Sequence, residues 1–193
     1  MGALVAAWGN PSYSADAGYL LHLGRLIRSG SGPVLDCGSG LSTLVAAKLA
    51  AGRGEVVWSL EQHREWYEHL AGVIRGLGIG NVRLWHAPLR AFADFVWYDL
   101  EGRSLPPRFG VVACDGPAVH RSRWPPHLFQ AWRVGVVPRL QQLGIPFDHI
   151  LLDDEVDKRA PGVMARWEAS GLSLEVVETP SGRHILGTPS PPG

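Results

Sequence analysis

The chain lacks an excess of charge of either sign: 18 lysines and arginines balance 18 aspartates and glutamates over 193 residues. It therefore has no overall basic field for gripping nucleic acid, and no acidic tail. Cysteine is scarce. Cys37 and Cys114 are too few for a disulfide framework or a four-cysteine zinc site, and two reduced, buried thiols are expected. No apolar run approaches the ~20 residues of a membrane-spanning helix. Met1 to Trp8 is apolar but short, without a basic flank or a cleavage-like sequel, so no secretion signal is expected. These absences point to a cytoplasmic, soluble protein with neither membrane nor nucleic acid as partner. The length suits one domain with a substantial core, expected over residues 1–188, with 189–193 as a disordered tail. Oligomeric state is not legible.

Glycine, by contrast, stands where it has chemical meaning. Val34-Leu35-Asp36-Cys37-Gly38-Ser39-Gly40-Leu41-Ser42-Thr43 places an acid two residues before a Gly-x-Gly turn, and good helix formers follow to Ala50. Strand, glycine turn and helix start form the arrangement in which a nucleotide-like ligand sits against bare backbone N–H groups.

Helical and extended segments alternate along the rest of the chain. Ser14 is the expected cap of a helix running to Ile27, and Val34–Asp36 the first strand, followed by a helix over Ser42–Ala51. Val56–Leu60 is a β-branched, apolar second strand ending at Glu61. His63–Gly76 is expected to be helical, with Trp66, Leu70, Val73 and Leu77 as its buried stripe. Asn81–Trp85 alternates as a third strand. Ala87–Pro107 is less regular, with a short strand over Phe95–Tyr98. Phe109–Cys114 is the fourth central strand, running into Asp115-Gly116-Pro117. Leu128–Leu143 has helical spacing that Pro138 should kink or restart. His149–Leu152 is a fifth strand ending in Asp153-Asp154; a helix over Met164–Ser170 and a terminal strand pair around Pro180-Ser181-Gly182 complete the chain. The alternation predicts an α/β, Rossmann-like, doubly wound and mostly parallel sheet of about seven strands with helices on both faces.

In such sheets ligands bind beyond the carboxyl ends of the strands. Asp36, Glu61, Asp115 and the Asp153-Asp154 pair all fall at such ends. Each taken alone could be a helix cap or a solvated turn residue; together they form a site hypothesis. A dinucleotide fingerprint would need a third small residue where Thr43 stands. A carboxylate at Asp36 is unfavourable beside a pyrophosphate and favourable beside a cationic sulfonium carrying an ammonium group.

Four segments then carry a resemblance: Val34–Gly40 with Ser42-Thr43, Ser59–Tyr67, Val112–Pro117, and Ile150–Asp154. In this order they make the chain similar, over most of its length, to class I S-adenosylmethionine-dependent methyltransferases. It resembles the bacterial subgroup whose glycine loop runs into Ser-Thr and whose fourth strand ends in Asp-Gly-Pro. The resemblance implies a cofactor site with Asp36, Gly38, Ser39 and Gly40 facing the methionine moiety and Ser42 or Thr43 starting the helix. Glu61 would take the ribose hydroxyls, Gln62 would lie against the adenine, and Asp115 would sit near the sulfonium and the acceptor. After the third strand an acid or polar side chain usually meets the adenine amine; here His86-Ala87-Pro88 leaves backbone atoms at Ala87.

The expected reaction is methyl transfer from S-adenosylmethionine to a small-molecule acceptor, more readily to oxygen than to nitrogen. The Asn/Asp-Pro-Pro-Tyr/Phe motif of amino-methylating enzymes is absent. A hydroxyl acceptor must lose its proton. Either Asp115, Asp153 and Asp154 hold a divalent cation, Mg or Mn, as in metal-dependent O-methyltransferases, or His120 or one of these aspartates acts as general base. Asp153 and Asp154 could equally cap a helix or pair with Lys158 or Arg159. Arg121, Arg123 and Trp124 follow Asp-Gly-Pro, where an acceptor could enter; Trp97, Tyr98 and Asp99 could line the same mouth or form an apolar strand ending in a turn. Trp8, Tyr13 and the first helix are a candidate lid. Two rival readings remain at this stage: an NAD(P)-binding oxidoreductase, and a non-catalytic S-adenosylmethionine-binding partner protein.

Overall fold

The computed structural model describes residues 1–9, 14–118, 124–125, 128, 133–153 and 160–190. Its centre is a pair of short strands, β1 (Val34–Cys37) and β6 (Phe109–Cys114), both buried along their full length and, apart from Asp36, without charge. Strands covered on both faces read as continuous apolar runs, which is how the sequence presents them. Around them the seven-stranded sheet has the order β3-β2-β1-β6-β7-β9-β8. β2 (Val57–Glu61), β3 (Val82–His86) and β7 (Phe147–Leu152) join β1 and β6 in parallel. The closing hairpin, β8 (Leu172–Thr179) and β9 (Gly182–Pro189), enters antiparallel through β9 against β7. The expected doubly wound, Rossmann-like sheet is the observed one.

Alternate residues of each strand feed two cores. On one face Val34, Val57, Val111, Ala113 and Leu151 meet α2 (Ala17–Ser29) and α3 (Leu41–Ala51) through Tyr19, Leu20, Leu23, Ala46 and Ala47. On the other, Leu35, Leu60, Val112, Ile150 and Leu152 meet α5 (Val136–Gln142) and α6 (Ala160–Ala169) through Val137, Leu140, Val163 and Trp167. α4 (Arg64–Gly76) packs on β2 and β3, and the short α1 (Gly2–Trp8) precedes everything. Among the described residues no helix is long and apolar enough to cross a membrane.

Several local expectations are corrected. The cap of α2 is Asp16, not Ser14: its carboxylate accepts from the N–H groups of Gly18 (2.6 Å) and Tyr19 (3.0 Å). The stripe of α4 closes on Ile74, whereas Leu77 lies past the last turn and is 62% exposed. Pro138 sits in the first turn of α5, where its missing N–H needs no partner, so the helix restarts rather than kinks. The irregular stretch contains an antiparallel ribbon of β4 (Leu89–Ala91) and β5 (Val96–Tyr98), paired Leu89 to Tyr98. Pro189 belongs to β9, and Ser190 N–H bonds to the Gly171 carbonyl, so regular structure extends into the expected tail; residues 191–193 lie outside the described part.

Candidate cofactor site

β1 and β6 are neighbours, yet the chain leaves β1 for β2 on one side and leaves β6 for β7 on the other. That is a topological switch point, where the loops diverge and open a crevice at the carboxyl edge. Asp36, Glu61, Asp115 and Asp153 all lie at this edge, at the ends of β1, β2, β6 and β7.

The glycine turn is built around Asp36. Its side chain is fully buried, with one oxygen accepting from Ser42 Oγ (3.1 Å) and the other from Thr43 Oγ1 and Ser59 Oγ (3.2 Å). Thr43 Oγ1 in turn accepts from the Gly40 N–H (3.0 Å). A chain of hydrogen bonds thus runs from the carboxylate through the first turn of α3 to the glycine loop. Instead of standing open to a ligand, Asp36 is sealed beneath the turn by the hydroxyls of Ser42 and Thr43. Burial pushes its carboxyl up to about 7, against the pull of those hydroxyls.

The two glycines do different work. Gly38 has φ 98°, and a Cβ there would lie 2.7 Å from the Gly116 backbone nitrogen. Only glycine satisfies both conditions, because the β1 and β6 loops touch at this point. Gly38→Ala is expected to cost about 2–4 kcal/mol of stability, from left-handed backbone plus a backbone clash; urea denaturation reads this directly. Gly40 is extended at φ 173°, and a Cβ there would meet nothing within 4 Å. Among the described residues nothing fills that space.

Glu61 ends β2 and is 5% exposed. Ser39 Oγ donates to its Oε2 (2.8 Å) and the His63 N–H donates to its Oε1 (2.7 Å). The Ser39 carbonyl accepts from Trp66 Nε1 of α4 (2.8 Å). Next in the chain, Gln62 turns its amide nitrogen to the Ala118 carbonyl (2.6 Å). Its Oε1 is buried and has no hydrogen-bond partner among the described residues. Ala87 is fully buried and its N–H donates to the Glu61 carbonyl (2.7 Å), so its side chain presents no surface to a ligand.

At the other half of the crevice the structure supplies a residue absent from the sequence-level site, Arg133. It is buried, sits at φ 56°, places Nη2 3.3 Å from Asp115 Oδ1, and donates through Nη1 to the Asp153 carbonyl. The expected metal site at Asp115, Asp153 and Asp154 is thus crossed, at its first two members, by a cation of the chain's own. Among the described residues no group of three His, Cys, Asp or Glu side chains could hold a metal ion. Asp154 and His120 lie outside the described residues, as do Arg121, Arg123 and Tyr13. One signal of Arg133 was available in sequence: a single charge set against Val134-Gly135-Val136-Val137, a buried run in which a charge needs a partner.

Trp97 and Tyr98, candidates for the acceptor mouth, are fully buried in the core under β6. Tyr98 instead presses its hydroxyl against Gly116, where a Cβ would come within 2.5 Å of it. Trp124 is half-buried against Val96 and Leu128. Tyr19, unremarked in sequence, accepts from the Cys114 N–H (3.1 Å) and donates to the Leu151 carbonyl (3.4 Å), joining β6 to β7 below the site. Burial, with the charges of Asp153 and Asp115 nearby, pushes its phenol well up, so it remains a neutral donor. Cys37 and Cys114 are register partners on adjacent strands, both buried and neither in a disulfide.

A parallel sheet with an inserted antiparallel last strand, and an acid-lined crevice at its switch point, is the fold of S-adenosylmethionine-dependent methyltransferases. Comparison with solved structures agrees. The chain is similar to the N-terminal domain of human METTL16 in complex with SAH, with TM-score 0.62 and 11% identity over 96% of this chain and 78% of that one. It is similar to a SAM-dependent methyltransferase from Aquifex aeolicus, with TM-score 0.58 and 18% identity over 93% and 92% of the two chains. It is also similar to the putative methyltransferase yhhF from Escherichia coli, with TM-score 0.57 and 19% identity over 91% and 85%. No protein-family model and no curated protein matches the sequence. The likeness is one of fold.

Proposed function

We propose that the protein is an S-adenosylmethionine-dependent methyltransferase acting on a small-molecule acceptor, with oxygen favoured over nitrogen as the acceptor atom. The observation that carries this reading is Glu61 at the end of β2 together with the open space at Gly40 in the turn after β1, beside the switch point. A carboxylate oxygen has about two lone pairs. With one on each oxygen taken by Ser39 and His63, one on each is left for a ribose diol. The bare backbone of Ser39 and Gly40 would receive the methionine part. The balanced charge of the chain favours a small acceptor over a nucleic acid.

S-adenosylmethionine, when bound, supplies an electrophilic methyl group on sulfur. The protein's share is alignment and removal of the acceptor's proton. Asp115, one quarter exposed and paired with Arg133, is the group we propose to orient the acceptor. Asp115, Asp153 and His120 are the groups we propose for the proton. The two buried reduced thiols suit a cytoplasmic setting.

Isothermal titration with S-adenosylhomocysteine and with NADH tests the cofactor assignment. Saturable binding of the first and no heat from the second is the expected result. NADH binding alone would instead support an oxidoreductase. Cofactor binding without methyl transfer to any of a panel of hydroxyl and amine acceptors would favour a binding protein.

A further inference from the structure

We propose that Ser39 is a positioning residue that presets Glu61 for a ribose diol, and that Trp66 in turn holds Ser39; the inference rests on the cofactor reading above. Ser39 lies between Gly38 and Gly40, so its backbone has more conformational freedom than most and needs an anchor. The structure provides two. Trp66 Nε1 donates to the Ser39 carbonyl (2.8 Å), and Ser39 Oγ donates to Glu61 Oε2 (2.8 Å). The indole is itself fixed, edge-on to Trp8 of α1 with centroids 6.2 Å apart and stacked on His69 at 5.2 Å.

The consequence concerns the torsion of one carboxylate. A glutamate at a strand end normally has several rotamers open to it, and holding one of them costs entropy on binding. Here the His63 N–H fixes Oε1 and the Ser39 hydroxyl fixes Oε2. The carboxylate plane is therefore set before any ligand arrives, with the remaining lone pair on each oxygen spaced to receive two vicinal hydroxyls. A ligand lacking one hydroxyl would leave one of these acceptors unmet in a nearly buried site, and that is the source of specificity. Glu61 touches the ligand; Ser39 and Trp66 act through it.

The experiment measures binding of S-adenosylhomocysteine and of its 2′-deoxyribose analogue to the parent and to two variants. A hydrogen bond to a charged group contributes about 1.5–3 kcal/mol, which corresponds to roughly tenfold or more in affinity. Ser39→Ala is expected to weaken S-adenosylhomocysteine about tenfold and to reduce the preference over the deoxy analogue from about tenfold to about twofold. Trp66→Phe keeps the ring against Trp8 and His69 but loses the N–H; a loss of several-fold in both quantities is expected. A merely structural role would lower both affinities together and leave the preference intact, and that result overturns the inference. If the parent discriminates and Ser39→Ala discriminates equally, only this inference falls; if the parent binds no S-adenosylhomocysteine, the cofactor reading falls and this with it. Should Ser39→Ala not fold, Trp66→Phe decides by the same criterion.

Discussion

Gly40→Val is expected to abolish binding of S-adenosylhomocysteine, by at least about a hundredfold, while moving the thermal midpoint by only a few degrees. The separation follows from geometry. A Cβ at Gly40 would touch no atom of the described residues within 4 Å, and its φ of 173° is extended backbone. The cost to the fold is that of a poorer N-cap for α3, about 1 kcal/mol. The cost to a ligand is larger, because the added isopropyl group occupies the space in which the backbone would be approached. Gly38 is the contrast: there the neighbour is the Gly116 backbone, so substitution damages the fold itself. Calorimetry beside thermal melts reads both quantities. Retained binding would show that no ligand lies against this turn, and joint loss of binding and stability would make Gly40 a structural glycine.

Asp36→Asn is expected to flatten the pH dependence of stability between about pH 4 and 7. Burial raises the folded carboxyl to about 7, with Glu61 adding to the rise, while the hydroxyls of Thr43, Ser42 and Ser59 pull it down. In the unfolded chain the group titrates near 4. Across that window the folded protein keeps a proton that the unfolded chain has released. Stability therefore falls as pH rises, by about 1.4 kcal/mol per unit and about 4 kcal/mol in total as an upper order of magnitude, and levels off above 7. Asparagine carries no charge at any of these pH values, so the variant gains relative to the parent as pH increases from 4 to 8. Urea titrations at pH 4.5 and pH 8 measure the difference. A parent-minus-variant stability that does not change with pH would show that Asp36 titrates normally.

The glycine turn, the central strands and the acids at their ends were legible because each depends on local chemistry. Fully covered parallel strands must be apolar throughout, a tight turn at positive φ must be glycine, and an acid at a strand end stands out against the apolar run before it. Where a neighbour distant in sequence decides, the reading failed. Leu77 continues the spacing of α4, but the helix ends before it, so Ile74 takes the buried place. Trp97 and Tyr98 left two readings open, an acceptor mouth or an apolar strand ending in a turn, and the pairing of β5 with β4 decides for the strand, with both side chains in the core.

The site divides in the same way. The sequence by itself determined the residue types: Asp36, Gly38, Gly40, Glu61 and Asp115 stand where strand, turn and helix propensities put them at one edge of a sheet. The tertiary structure alone decided what each one faces. Asp36 turns inward to three hydroxyls, Glu61 is gripped by Ser39 and His63, and Asp115 meets Arg133. The physical reason is that backbone position follows from local propensity, whereas the partner of a buried charge is whichever group the folded chain brings within hydrogen-bonding reach.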